Sequence, residues 1–394
     1  MSQNVFNLRI SRIQSRIKEE GLDAIIVCSP QNVYYLSGFN PIIFSQPIAV
    51  IIPLRGDAIL ITHSIRFKHA NKEAFLTKIK IFGKWGKYGE GAPQDFFSAV
   101  KITLQELSLS RKARIGIDLS SLPYPFFLKF KLDLCDVEFL NIDNIIRDER
   151  MIKDEIELEF IKDAACITDA GMEVAIDAVR ERKSEIEVSV NAMVTMLERW
   201  KEKYPDREVV DFANGGSIQN ALWAVCLSGP RINLMCDSPS SRIIKEGDLV
   251  LIMIFATING YHAENERTIA VGSAELEQEK AYNAVIRARN EAINEIRPGI
   301  PICSLYNTAI RIMTEEGYGN ILPGRIGHGL GLNLHEAPSI APDNRDLLKE
   351  RMVVTFEPGL DLGELGGIQN SDTILVNSHG FEYLTHTKRG FLNV

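Results

Sequence analysis

Residues 247–268, GDLVLIMIFATINGYHAENERT, decide how the rest of the chain is read. Two apolar-rich segments flank Asn259-Gly260, a dipeptide that tolerates positive φ and suits a two-residue type I′ turn, so the stretch is predicted to be a β-hairpin. A turn that tight sets residue 257 opposite 262, 255 opposite 264 and 253 opposite 266. Side chains alternate across a strand, so Met253, Phe255, His262, Glu264, Glu266 and Thr268 share one face. Two carboxylates, Glu264 and Glu266, then project together from a face whose opposing residues are apolar. Methionine and phenylalanine seldom line a solvated strand face, and carboxylates are rarely buried without a partner or a task. The pair reads as part of a site.

Working outward, 394 residues are too many for one ordinary domain, and two of unequal size are expected. A hydrophobic content of 45% beside 24% charged residues supplies a sizeable core. The formal charge of −8, with no dense Lys/Arg run, argues against nucleic acid or an anionic membrane as partner and favours a small-molecule substrate. The N-terminus shows no basic region followed by an apolar run, and no apolar stretch approaches the roughly 20 residues that span a bilayer. A cytoplasmic location is therefore expected. Six cysteines (28, 135, 166, 226, 236 and 303) lack CxxC spacing, which fits reduced thiols better than a disulfide framework or zinc knuckle.

Residues 5–20 carry helical spacing that Gly21 stops. The apolar segments LDAIIVC, IAVIIP, AILIT, ARIGID and VEFL follow, separated by helical patterns such as residues 95–107, and make a compact α/β domain. Pro123 and Pro125 mark a turn within it. From Asn144 the charged run IIRDERMIKDEIELEF leads into a new helix, and the domain boundary is placed there, giving domains 1–147 and 148–394. In the second, Ser184 and Glu187 have capping-box spacing for a helix over 184–203, and helices are expected over 274–296 and 303–316. Strand-like runs at 207–213, 222–228, 249–258, 261–271, 352–356 and 373–377 make this an α+β domain, with helices on an antiparallel sheet.

Downstream lie Gly327-His328-Gly329-Leu330-Gly331 and His335-Glu336-Ala337-Pro338. Glycines beside His328 allow close backbone approach and leave the imidazole uncovered, as a ligand or proton-transfer residue requires. Glu357 follows in TFEPG, at a strand end before a turn.

With these motifs the chain resembles the pita-bread hydrolases: methionine aminopeptidase, aminopeptidase P, prolidase and the metal-independent creatinase. The resemblance rests on GDLVLI, Arg267-Thr268, HGLGLNLHEAP, FEPGL and SDTILV in order, with the N-terminal domain similar to that of creatinase and prolidase members. It implies a six-stranded curved antiparallel sheet covered by helices, a site on the concave face and commonly a homodimer. The family's five metal ligands fall on Met253, Glu264, His328, Glu357 and Ser371. Two anionic ligands are thereby replaced by a thioether and a neutral hydroxyl, neither of which offsets the charge of paired divalent ions.

The remaining pattern leans toward the creatinase-like branch. Its Glu-Arg-Thr triplet resembles Glu266-Arg267-Thr268; its other catalytic histidine falls on Cys236, and its two carboxylate-binding arginines fall on Gln46 and Ser339. The expectation is a metal-independent hydrolase, without cofactor, that cleaves a C–N bond of amide, amidine or guanidino type in a small polar molecule. His328, Glu266, Glu357 and Cys236 would be catalytic; His335, Glu264, His262 and, by resemblance, Phe44 would contact substrate. Cys236 reads either as a small buried hydrophobe or as a nucleophile. Arg231 and Arg325 are candidates to replace the absent arginine pair. Two other readings stand: a mononuclear metal-dependent Xaa-Pro dipeptidase or aminopeptidase on Glu264, His328 and Glu357, and a catalytically silent binding module.

Overall fold

The computed structural model describes residues 3–43, 45–109, 111–212, 221–234 and 237–394. They divide into two compact units, Met1–Arg150 and Met151–Val394. No helix among the described residues is long and apolar enough to cross a membrane.

The N-terminal unit holds a six-stranded mixed sheet of β1 (Ala24–Val27), β2 (Ala49–Pro53), β3 (Ile59–His63), β4 (Lys78–Phe82), β5 (Arg114–Ile117) and β6 (Glu138–Asn141), in the order β4-β3-β2-β1-β5-β6. Each apolar segment of the sequence supplies one strand. The strand KIKIF adds a sixth at an edge, where its alternating lysines face water and oppose edge-to-edge pairing. The core gathers Ile26, Ile51, Ile61 and Ile115 against Phe96, Val100 and Phe130. The Pro123 and Pro125 pair does not simply turn the chain: it opens the helix Tyr124–Asp133, because the first helical turn needs no N–H from proline.

In the C-terminal unit an eight-stranded sheet, rather than the expected six, comprises β7 (Leu222–Ser228), β8 (Leu249–Ile258), β9 (Tyr261–Ala270), β10 (His328–Gly329), β11 (Glu336–Ser339), β12 (Val353–Thr355), β15 (Ser371–Asn377) and β16 (Gly380–Tyr383). Its order is β11-β10-β12-β15-β9-β8-β7, with β16 on β15 and every pair antiparallel. A separate pair joins β13 (Gly359–Asp361) to β14 (Gly367–Gln369).

The hairpin β8–β9 has the register its turn dictates: Thr257 faces His262, Phe255 faces Glu264 and Met253 faces Glu266. Asn259 and Gly260 take φ of 48° and 80°, as a type I′ turn requires. A side chain at Gly260 would strike Phe212, so tight packing adds to the dihedral demand. Every residue of both strands is buried. Alternation along β9 therefore separates two interiors rather than inside from outside. On one face Ile254, Tyr261 and Asn265 meet the helix Glu155–Arg180, where the Tyr261 hydroxyl bonds Glu157 at 2.9 Å and Asn265 bonds Asp169 at 2.9 Å. On the other, Leu249, Leu251, Met253 and Phe255 join a core with Tyr282, Val285 and Ala288 of the helix Leu276–Asn294.

The expected strand at 207–213 does not form over its described part. Residues 208–212 run irregularly beside the hairpin end, where Val210 accepts a bond from the Thr257 hydroxyl at 2.9 Å and Glu208 accepts one from Asn259 N at 2.7 Å. β-Branched residues alone do not make a strand when no ladder partner is available.

The helix Glu185–Lys203 starts on the expected capping box: Ser184 N donates to Glu187 at 2.9 Å, and Ser184 Oγ accepts from Glu187 N at 3.4 Å. Replacing Ser184 with alanine frees the Glu187 N–H and removes the hydroxyl bond to the Glu187 carboxylate, and is expected to lower the unfolding midpoint by about 2–4 °C. Differential scanning calorimetry checks this; an unchanged midpoint would show the cap to be redundant.

Candidate active site

Glu264 and Glu266, two residues apart on β9, both line a cavity of about 860 Å³. Met253 and Phe255 line it beside them, as the hairpin register requires. Glu357 enters from the segment after β12, and His335 from the loop before β11. Trp223, Leu251 and Ile368 contribute to a largely apolar wall.

His328 sits one layer deeper. Gly327 and Gly329 are needed there, because a Cβ on either would lie within 2.3 Å of the Thr355 or Ala337 carbonyl oxygen. That close approach was legible in the sequence; the expected exposure of the imidazole is not what the fold delivers. His328 is fully buried behind His335, whose ring meets it edge-on at 4.2 Å. The glycines admit neighbouring backbone instead of solvent. His328 Nδ1 lies 3.1 Å from the Gly329 carbonyl, and in the neutral ring a proton there leaves Nε2 presenting its lone pair. Nε2 has no hydrogen-bond partner and points between Glu264 Oε2 at 3.5 Å and Glu357 Oε1 at 3.4 Å.

The electrostatics follow from this crowding. Burial works against a proton on His328, but Glu264 and then Glu357 outweigh it and hold the imidazole above its ordinary value. Burial alone would push Glu264 up, yet His328 and the Ser371 hydroxyl, which donates to Glu264 Oε1 at 2.6 Å, hold its carboxyl below the usual range. Burial and the Glu264 charge push Glu357 up to about 8. Burial, Glu264 and Glu357 push Glu266 well above a normal carboxylate. His335 is held down to about 4 by burial and by His328, so it is neutral near pH 7.

Among the described residues, Glu264, His328 and Glu357 bring ligand atoms within 4.8 Å of one another. One imidazole and two carboxylates suit a single divalent cation. The partnerless Nε2 supports the fit, since a cation can take the place of the proton that the two carboxylates otherwise stabilise. Met253 offers only a thioether and Ser371 a neutral hydroxyl, which donates to Glu264 Oε1 at 2.6 Å, so neither adds a charged donor for a second ion.

The remaining expectations divide. His262 does not line the cavity: it is buried, with Nδ1 2.9 Å from the Gly331 carbonyl and Nε2 3.5 Å from Asp211. It shares the site's strand face, but sits beyond Glu264 where neighbouring backbone closes over it. Cys236 and Phe44 lie outside the described residues. Arg231 is occupied by Glu185 and Asp237, each at 3.0 Å. Arg325 lines the cavity.

Gln369 was not anticipated. Its Nε2 donates to Glu266 at 2.8 Å and lies 3.5 Å from Glu357, fixing both carboxylates. Its even spacing from Ser371 in GIQNSDT was the available signal. Lys153 was also missed; buried, it pairs with Glu336 at 2.9 Å and anchors the segment that carries His335.

Residues 159–378 match the pattern of metallopeptidase family M24, and residues 9–152 match the creatinase/prolidase N-terminal domain. An Xaa-Pro dipeptidase of Pyrococcus horikoshii is 31% identical over 386 residues, covering 98% of this chain and 99% of that protein. The prolidase structure from the same organism superposes with a TM-score of 0.80 at 29% identity, covering 97% of this chain and 99% of that one. The Xaa-Pro dipeptidase of Bacillus anthracis gives a TM-score of 0.84 at 27% identity, covering 99% and 100%.

These relatives overturn the expectation of a metal-independent, creatinase-like hydrolase. Neutral side chains at two expected ligand positions do not imply metal independence, because Glu264, His328 and Glu357 still converge. Its fold is the two-domain pita-bread architecture, and the chain belongs to metallopeptidase family M24.

Proposed function

We propose that the protein is a hydrolase of small Xaa-Pro-type peptides that uses one divalent cation held by Glu264, His328 and Glu357. The observation that carries this reading is the convergence of those donors beneath the cavity, where His328 Nε2 makes no hydrogen bond and lies 3.5 Å from Glu264 and 3.4 Å from Glu357. The names of its full-length relatives support the substrate class.

When bound, such an ion supplies Lewis-acid polarisation of the peptide carbonyl and makes water a better nucleophile. Glu266, buried beside the cluster and held above the ordinary carboxylate range by burial and by Glu264 and Glu357, stands where a proton can be passed to the departing imino nitrogen. Gln369 orients that carboxyl by donating to it. Neutral His335, at the cavity edge, offers a hydrogen bond to negative charge developing on the carbonyl oxygen. The apolar wall of Trp223, Phe255 and Leu251 accommodates a hydrophobic side chain and keeps water from the reacting bond.

The test is metal content by plasma mass spectrometry, together with turnover of Leu-Pro and Met-Pro. About one equivalent of divalent metal per chain is expected, with activity lost in chelator and restored by readdition. Full turnover by metal-free protein would refute the reading, and so would two equivalents bound in the active state.

A further inference from the structure

We infer that Arg325 is the anchor for the substrate's free carboxylate, which restricts the enzyme to peptides that end at the residue beyond the scissile bond. This rests on the peptide-hydrolase reading above and names a specificity residue for the same site. Among the described residues the cavity is lined by five carboxylates, Asp237, Glu264, Glu266, Glu357 and Asp361, against one permanently charged cation, Arg325. An anionic end group entering this space meets attraction at Arg325 and repulsion from the acidic side chains.

The guanidinium is also available. Among the described residues it makes no hydrogen bond, and its nearest acid, Glu357 Oε1, is 3.9 Å away, too far for a fork-type bond. Its side chain is 44% exposed, so a ligand can reach it. Arg231, the other candidate, has its Nε and Nη2 committed to Glu185, Asp237 and the Ser238 carbonyl. Arg325 can therefore offer two parallel N–H groups to a carboxylate, the geometry in which arginine is most selective. Its closeness to Glu357 places the anchored group next to the cation-binding cluster. A chain extending past that point would carry no terminal carboxylate to meet Arg325, so the peptide should be short on its C-terminal side.

The experiment compares Leu-Pro with its C-terminal carboxamide, using metal-loaded wild type, Arg325→Gln and Arg325→Lys. The variant Arg325→Gln should lower kcat/KM for the acid by about 10- to 100-fold, mainly through KM, and alter the amide less than about threefold. Arg325→Lys should fall between, since it keeps the charge and loses the fork. Calorimetric binding of proline and prolinamide provides a readout independent of turnover. Wild type should favour proline and Arg325→Gln should not. Equal losses for acid and amide, or a proline preference retained in Arg325→Gln, would overturn the anchor. If wild type turned over neither peptide but lost its proline preference on Arg325→Gln, the anchor would stand and the peptidase reading would fall.

Discussion

Replacing His328 by alanine is expected to abolish stoichiometric metal binding and to lower kcat/KM for an Xaa-Pro substrate by at least about 1000-fold, equivalent to about 4 kcal/mol. His328 is the sole nitrogen donor of the three-residue cluster, and the two carboxylates that would remain share one small buried space. Without the imidazole between them they repel, and burial shifts them toward their protonated, poorly ligating forms. Loss of a group that merely orients a ligand costs about 10- to 100-fold in metal affinity or activity. Loss of one of three direct donors should exceed that. Folding is checked by far-UV circular dichroism, since Thr355 Oγ1 accepts from the His328 backbone, a bond the substitution leaves in place. A folded His328→Ala protein that kept one equivalent of metal and a tenth of its activity would remove this cluster from the mechanism.

Asp372→Ala should destabilise the C-terminal unit by about 3–5 kcal/mol, with a fall in melting temperature of about 6–20 °C. Asp372 is fully buried on β15 and accepts from Arg267 Nη2 at 2.8 Å, Thr385 Oγ1 at 2.7 Å and Arg389 Nε at 3.3 Å, and it also pairs with Arg289. Arg267 and Arg289 are themselves fully buried, so removing the carboxylate strands two desolvated cations. Arg267 also bonds the carbonyls of Ser371 and Lys388, which ties β9 to β15 and to the C-terminal segment. Its place in the Glu-Arg-Thr triplet is therefore structural.

The same network fixes a pH dependence. Burial would raise the Asp372 value, but Arg267, Arg289 and Arg389 outweigh it and hold the carboxyl below the ordinary range. A depressed folded-state value contributes stability that is complete above the unfolded value, about 3.9, and disappears as pH falls through the folded one. The gap between wild type and Asp372→Ala should then be largest near neutrality and narrow below about pH 4. Urea midpoints at pH 7 and at pH 3.5 measure it. A neutral-pH difference under about 1 kcal/mol would mean that the cluster costs as much to desolvate as it returns.

What the sequence could settle was local. Asn259-Gly260 fixed the turn, the turn fixed the register, and a side-chain period of two put Glu264, Glu266, Met253 and Phe255 on one face. The glycines around His328 and the Ser184 capping box were legible for the same reason: they are demands of backbone geometry within a few residues. Met253 and Ser371, neutral where the resemblance expects acidic ligands, were visible as well, but not what they imply. Whether Glu264, His328 and Glu357 still meet depends on the strand order β10-β12-β15-β9, which brings distant segments side by side. Gln369 between two carboxylates, Asp372 among three arginines, the burial of His328 and the choice of Arg325 over Arg231 likewise arise only when separate elements pack. Covalent geometry repeats along the chain and can be read from it. Desolvation and charge pairing depend on which parts of the chain become neighbours, and that was decided by the tertiary structure.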